Sequence, residues 1–161
     1  MHCKWFASAL LMLISIPTLA DVSLLVPFAS KHYGCDPAKH KCEFHQFNPG
    51  LGLEWSTKEY DLGRPILRSA AYSDSSEKFA YYAAAGWRKD FNIVNDWKVG
   101  VGIYAGYLNG SDHDGFAALP FMSVGYKRFS IEVGYEDSKA GHHKHKEEVN
   151  HILTFNARYN L

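Results

Sequence analysis

The sequence predicts an all-β fold, an eight-stranded antiparallel transmembrane β-barrel over residues 21–161, and three observations lead there. Apolar and polar residues alternate with a period of two along segment after segment, as they must where a strand separates two environments. Aromatic residues make up 15% of the chain and glycine occurs 13 times. That mixture suits a narrow barrel, where aromatics sit at the membrane interfaces and glycine makes room in the lumen. Nothing after Ala20 approaches the roughly 18 apolar residues of a membrane helix.

The first twenty residues are expected to be a signal peptide. Lys4 supplies a positive start, Ala7 to Ile16 form an apolar run too short to span a bilayer, and Pro17-Thr-Leu-Ala20 places small residues before Asp21. Cleavage is expected after Ala20. Cys3 precedes the apolar run, so it is not placed for lipoprotein acylation. The rest reads as one domain, and 17 acidic against 17 basic residues leave no polybasic field for nucleic acid.

Strands are predicted at 22–32, 49–57, 65–73, 79–89, 96–107, 117–126, 129–137 and 148–161. The clearest runs from Trp97 to Tyr107. Trp97, Val99, Val101, Ile103, Ala105 and Tyr107 share one face, and Lys98, Gly100, Gly102, Tyr104 and Gly106 the other. Gly50 to Ser56 repeats the pattern with Leu51, Leu53 and Trp55 outward, and Leu153, Phe155, Ala157, Tyr159 and Leu161 give the last segment an apolar face. Short connections (57–64, 90–95, 127–128) alternate with longer polar ones (33–48, 74–78, 108–116, 138–147). In an outer-membrane barrel the short turns face the periplasm, which puts both termini there and the long loops outside.

Cys35 and Cys42 flank a short polar loop in an exported chain and are expected to form a disulfide. With His32, His40 and His45 nearby, a metal site is the other reading, but the spacing fits no tight zinc pattern, and no metal is expected. The tract Gly141-His-His-Lys-His-Lys146 reads as a solvated loop.

The topology places His32, Asp74 and Ser75 on the outer rim. An imidazole, a carboxylate and a hydroxyl are the parts of an acyl-transfer site, although Asp and Ser are also ordinary turn residues. Pro27, Pro49 and Pro120 lie within or beside predicted strands, where a residue without an N–H weakens pairing or simply starts a strand.

Several segments resemble the lipid A palmitoyltransferase (PagP) family. They are Pro27-Phe-Ala-Ser-Lys-His32, Gly50-Leu-Gly-Leu-Glu-Trp55, Tyr72-Ser-Asp-Ser-Ser-Glu-Lys-Phe79, Ala84-Ala-Gly-Trp87, Val99-Gly-Val-Gly102 and Leu119-Pro-Phe-Met-Ser-Val-Gly-Tyr126. The last is the most specific, and all six run collinearly. The resemblance implies an outer-membrane enzyme that moves a palmitoyl chain from a glycerophospholipid donor to lipid A, the acceptor, with His32, Asp74 and Ser75 as its catalytic residues. It implies that Gly86 lies at the floor of an acyl pocket and that Pro27, Pro49 and Pro120 mark lateral openings for lipid. Ester exchange needs no cofactor, and a monomer is expected. The chain departs from the family in three places: no substantial amphipathic helix is expected before the first strand, Glu136-Asp137 stand where the family has a proline, and the spacing after Pro49 is shorter. A non-enzymatic barrel, structural or carrying a hydrophobic ligand, would explain the strands equally well.

Overall fold

A computed structural model describes residues 20–35, 42–111, 114–137 and 151–161. Eight strands, β1 (Ala20–Tyr33), β2 (Gly50–Thr57), β3 (Arg64–Ser73), β4 (Phe79–Asn92), β5 (Trp97–Asn109), β6 (Asp114–Tyr126), β7 (Phe129–Asp137) and β8 (His151–Asn160), form a closed barrel in sequence order. Every neighbouring pair is antiparallel, and β8 closes on β1. No helix occurs among the described residues. The expected signal peptide, apart from Ala20, and the histidine tract lie outside them.

The expected alternation positions the side chains. Along β5, Trp97, Val101, Ile103, Ala105 and Tyr107 are exposed, whereas Gly100 and Tyr104 are buried. Along β2, Leu51 and Leu53 face out while Glu54 and Ser56 are buried. The β4–β5 and β5–β6 pairings reach further than expected, to Asn92↔Lys98 and Asn109↔Asp114. These ends are hairpin extensions that need only main-chain pairing, so no apolar alternation marks them. Around the latter hairpin the Tyr107 hydroxyl donates to Asp114, and Tyr107 meets Phe116 edge to face.

Two irregularities shape the wall. In β1, Pro27 pairs with Asn156 and Ala29 with Phe155, so Phe28 is an extra residue, a β-bulge against β8. The β1–β2 ladder ends at Leu25↔Gly52 and resumes only as an isolated bridge, Ala29↔Phe47. Pro27 and Pro49 stand on opposite sides of that gap. A second gap lies between β6 and β7, whose ladder ends at Phe121↔Gly134, one residue from Pro120. Pro49 itself precedes β2, and its carbonyl accepts from Ser73 N at 3.0 Å, the position of a strand-starting proline.

The lumen is layered. Toward the rim with the short turns, Glu54, Arg68, Arg88, Glu132 and Arg158 are all at most 3% exposed. Arg68 bonds Glu54 and Glu132, Arg88 bonds Glu54 and Asp90, and Arg158 bonds Glu132. Above this network sits an apolar cluster of Ile66, Tyr104, Leu119 and Phe121. The Arg68 guanidinium joins the layers, 4.6 Å from the Tyr104 ring centre.

Candidate acyl-transfer site

The half of the lumen nearer the long loops holds a cavity of about 140 Å³. His32, Asp74 and Ser75 line its mouth, and Tyr72, Tyr82, Ala84, Tyr104, Ala117 and Leu119 line the well below. Pro27 and Asn48 at one wall gap, and Leu119 and Glu136 at the other, also border it.

The bulge brings His32 inside. Ser23, Leu25 and Pro27 are the buried face of β1. Continuing that phase would put Ala29 and Lys31 inward and His32 outward. The extra residue at Phe28 reverses it, so Ser30 pairs with Thr154 and His32 with Ile152, and all four line the cavity.

The His32 ring stacks on Phe44, centroids 4.4 Å apart and planes at 9°. Phe44 is held there by a loop tied at both ends. Cys35 and Cys42 are disulfide-bonded, with Cα atoms 5.9 Å apart. Beyond them, Ser30 N donates to Gln46 O and Asn48 N to Phe28 O at 3.0 and 2.9 Å. His32 Nε2 lies 3.3 Å from Ser30 Oγ, whereas its buried Nδ1 has no partner among the described residues.

Asp74 opens a tight turn between β3 and β4 in which Glu77 adopts φ 60°. Its Oδ1 accepts from the amides of Ser76 and Lys78, both at 2.9 Å, and its Oδ2 from Ser111 N at 2.8 Å. Partial burial raises the pKa of this carboxyl, but the hydrogen bonds from Ser111 and the amides of Lys78 and Ser76 outweigh it and hold the group below the usual carboxylate range. Both Asp74 oxygens are thus taken up by main-chain donors, and among the described residues no hydrogen bond joins His32 to Asp74 or Ser75. What unites the two loops is His45 N donating to Ser75 O at 3.0 Å. Ser75 is 7% exposed and borders the same cavity as His32.

Gly86 lies on the inward-phase face of β4, between Ala84, which lines the cavity, and the buried Arg88, and it pairs with Tyr104 of β5. A Cβ there would run into Ile103 O and come within 2.7 Å of the Tyr104 Cα and Cβ, so the glycine lets β5 approach closely beside the cavity-lining Tyr104. Sequence reading missed Ser30 and Asn48, although Ser30, two residues before His32 in a strand, carried a usable signal. The tyrosine lining of the well was equally unremarked.

The family described as "Antimicrobial peptide resistance and lipid A acylation protein PagP" matches residues 16–147. A curated relative, the lipid A acyltransferase PagP of Laribacter hongkongensis (strain HLHK9), is 28% identical over 96 residues, which is 58% of this chain and 47% of that protein. The chain thus spans about half the length of the curated relative it matches. Among solved structures, Neisserial surface protein A (NspA) superposes with a TM-score of 0.45 at 13% identity, covering 89% of this chain and 97% of that one. The family match takes in every strand from β1 to β7, and with them His32, Asp74 and Ser75, and the chain belongs to the PagP family.

Proposed function

We propose that this chain is an outer-membrane acyltransferase that moves a palmitoyl chain from a glycerophospholipid to lipid A. The observation that carries the reading is a single cavity that joins His32, Asp74 and Ser75 at its mouth to a well lined by Tyr82, Ala84, Tyr104, Ala117 and Leu119. The exposed apolar belt, with Leu51, Ile103 and Met122 each at least half exposed, supports a lipid-facing wall. In this arrangement the short turns and termini face the periplasm and the site opens at the outer leaflet.

The gaps beside Pro27, Pro49 and Pro120 serve as lateral entrances, because strand edges without paired N–H groups part more easily than a continuous ladder. A donor acyl chain enters the well and brings its ester to the rim. His32 removes the proton of an acceptor hydroxyl on lipid A, whose oxygen bonds the acyl carbon. The ester bond to the glycerol oxygen breaks, and that oxygen takes the proton back from His32. Ser75 donates to the ester carbonyl as negative charge develops there. Asp74 ties its own turn to the loop after β5 through the Ser111 amide.

The test is transfer of labelled palmitate from phosphatidylethanolamine or phosphatidylcholine to lipid A by the purified protein in detergent. His32→Ala is expected to cost about 10²–10⁴-fold, the range of a general base, and Ser75→Ala a loss of similar order. Absence of transfer, or transfer unaffected by both substitutions, overturns the assignment.

A further inference from the structure

An imidazole acts as a base through whichever ring nitrogen lacks a proton, and at His32 a chain of hydrogen bonds decides which one that is. The chain starts from a group whose role is fixed. The main-chain carbonyl of His45 can only accept, so its 3.5 Å contact orients Asn48 Nδ2 toward it. Asn48 Oδ1 then faces Ser30, whose hydroxyl donates to it at 2.6 Å. A hydroxyl has one proton, and having directed it to Asn48, Ser30 Oγ meets His32 Nε2 at 3.3 Å as an acceptor. Nε2 therefore carries the ring proton, and the buried, unpartnered Nδ1 keeps the lone pair.

We propose that Ser30 and Asn48 are positioning residues that hold His32 in its Nε2–H form, which makes Nδ1 the nitrogen that accepts the proton of the attacking hydroxyl. The proposal rests on the transfer reaction above. The proton passes from the acceptor hydroxyl to Nδ1 as oxygen bonds the acyl carbon, and from Nδ1 to the departing glycerol oxygen as the old ester bond breaks. In between, the ring is a cation, and the Nε2–H···Oγ bond is stronger to a cation than to a neutral ring.

Each neighbour has a distinct part. Stacking on Phe44 fixes the plane of the ring but allows it to turn over within that plane. The bond to Ser30 selects one of those two orientations. Asn48 is 4% exposed and anchored through its own amide to Phe28 O, so the acceptor offered to Ser30 does not drift.

Histidine tautomers are read directly by two-bond ¹H–¹⁵N correlation spectra of the full chain labelled with ¹⁵N-histidine in detergent micelles, with His32 assigned by its loss in His32→Gln. The Nε2–H form is expected in the parent protein and in Ser30→Thr, and a mixture of tautomers in Ser30→Ala. Transfer in Ser30→Ala is expected to drop roughly 10- to 100-fold in kcat with little change in KM, and Ser30→Thr to restore it. Asn48→Asp, which still accepts from Ser30, is expected to keep the tautomer, and it serves if Asn48→Ala does not give a folded, heat-modifiable barrel. An Nδ1–H form in the parent, or a tautomer indifferent to Ser30→Ala, overturns the proposal. If the Nε2–H form depends on Ser30 but the parent transfers no acyl chain, the hydrogen-bond assignment stands and the transfer reading fails.

Discussion

Both carboxylate oxygens of Asp74 accept from main-chain N–H groups, Oδ1 from Ser76 and Lys78 and Oδ2 from Ser111. An asparagine has only one accepting oxygen, so in Asp74→Asn one loop amide must face an NH₂ group. Leaving a donor unsatisfied costs about 1–3 kcal/mol, and hydrogen exchange at Ser76, Lys78 or Ser111 is expected to accelerate roughly 5- to 160-fold. The carboxyl is held below its usual range, so this contribution is complete above the unfolded value of about 3.9 and disappears as pH falls through the lower folded value. Exchange measured between pH 6 and 2 is therefore expected to show the loops opening only at the acidic end. Ala84 lines the well and Gly86 does not. Ala84→Met is expected to shift the transferred chain toward shorter acyl groups, seen by mass spectrometry of the product. Gly86→Ala is expected to weaken β4–β5 pairing without creating a shorter optimum, because its Cβ meets backbone and not the bound chain. The sequence marked Asp74 as a polar rim residue, but the partners that define its role belong to main chain up to 37 positions away.

At the scale of elements, one inserted residue decides which side of the wall His32 occupies. Deleting Phe28 removes the extra position between Pro27 and Ala29, and every side chain beyond it changes face. The deletion is expected to leave a heat-modifiable barrel and to lower transfer by at least about 100-fold, the scale of losing the base itself. Retained activity would show that the bulge does not set the phase. The ionic layer makes a second claim at this scale. Three cations (Arg68, Arg88, Arg158) are linked to three anions (Glu54, Glu132, Asp90). Arg68→Met leaves Glu54 held by Arg88 and Glu132 by Arg158, with one buried negative charge in excess, and is expected to cost up to about 3–5 kcal/mol in urea unfolding from lipid vesicles. Adding Glu132→Gln restores the balance and is expected to recover much of that loss. Strand alternation set Glu54 on the face opposite Leu51, Leu53 and Trp55, but did not reveal its pairing with Arg68 and Arg88, which stand 14 and 34 residues beyond it.

The whole molecule is inverted relative to a water-soluble domain, with arginine and glutamate sealed inside and leucine, isoleucine and methionine exposed. This distribution suits a protein whose outer solvent is hydrocarbon. Ile103→Lys, on the exposed face at 50%, is therefore expected to destabilise the vesicle-inserted barrel by about 2–4 kcal/mol if it lies near the bilayer midplane. The same unfolding titration measures it, and a negligible effect would place that face out of the lipid. The number of strands, their order and the two faces of β2 and β5 were legible in the sequence because a period of two is a local property, imprinted wherever one side of a strand meets apolar surroundings. His32, Asp74 and Ser75 were likewise legible as a rim. Tertiary structure alone decided that a bulge turns His32 inward, that Asp74 binds loops and not the imidazole, that Gly86 pairs with the cavity-lining Tyr104, and that Ser30 and Asn48 stand behind the ring. Each of these depends on register or on a hydrogen bond between distant segments, and closure of the barrel is what brings those segments within reach.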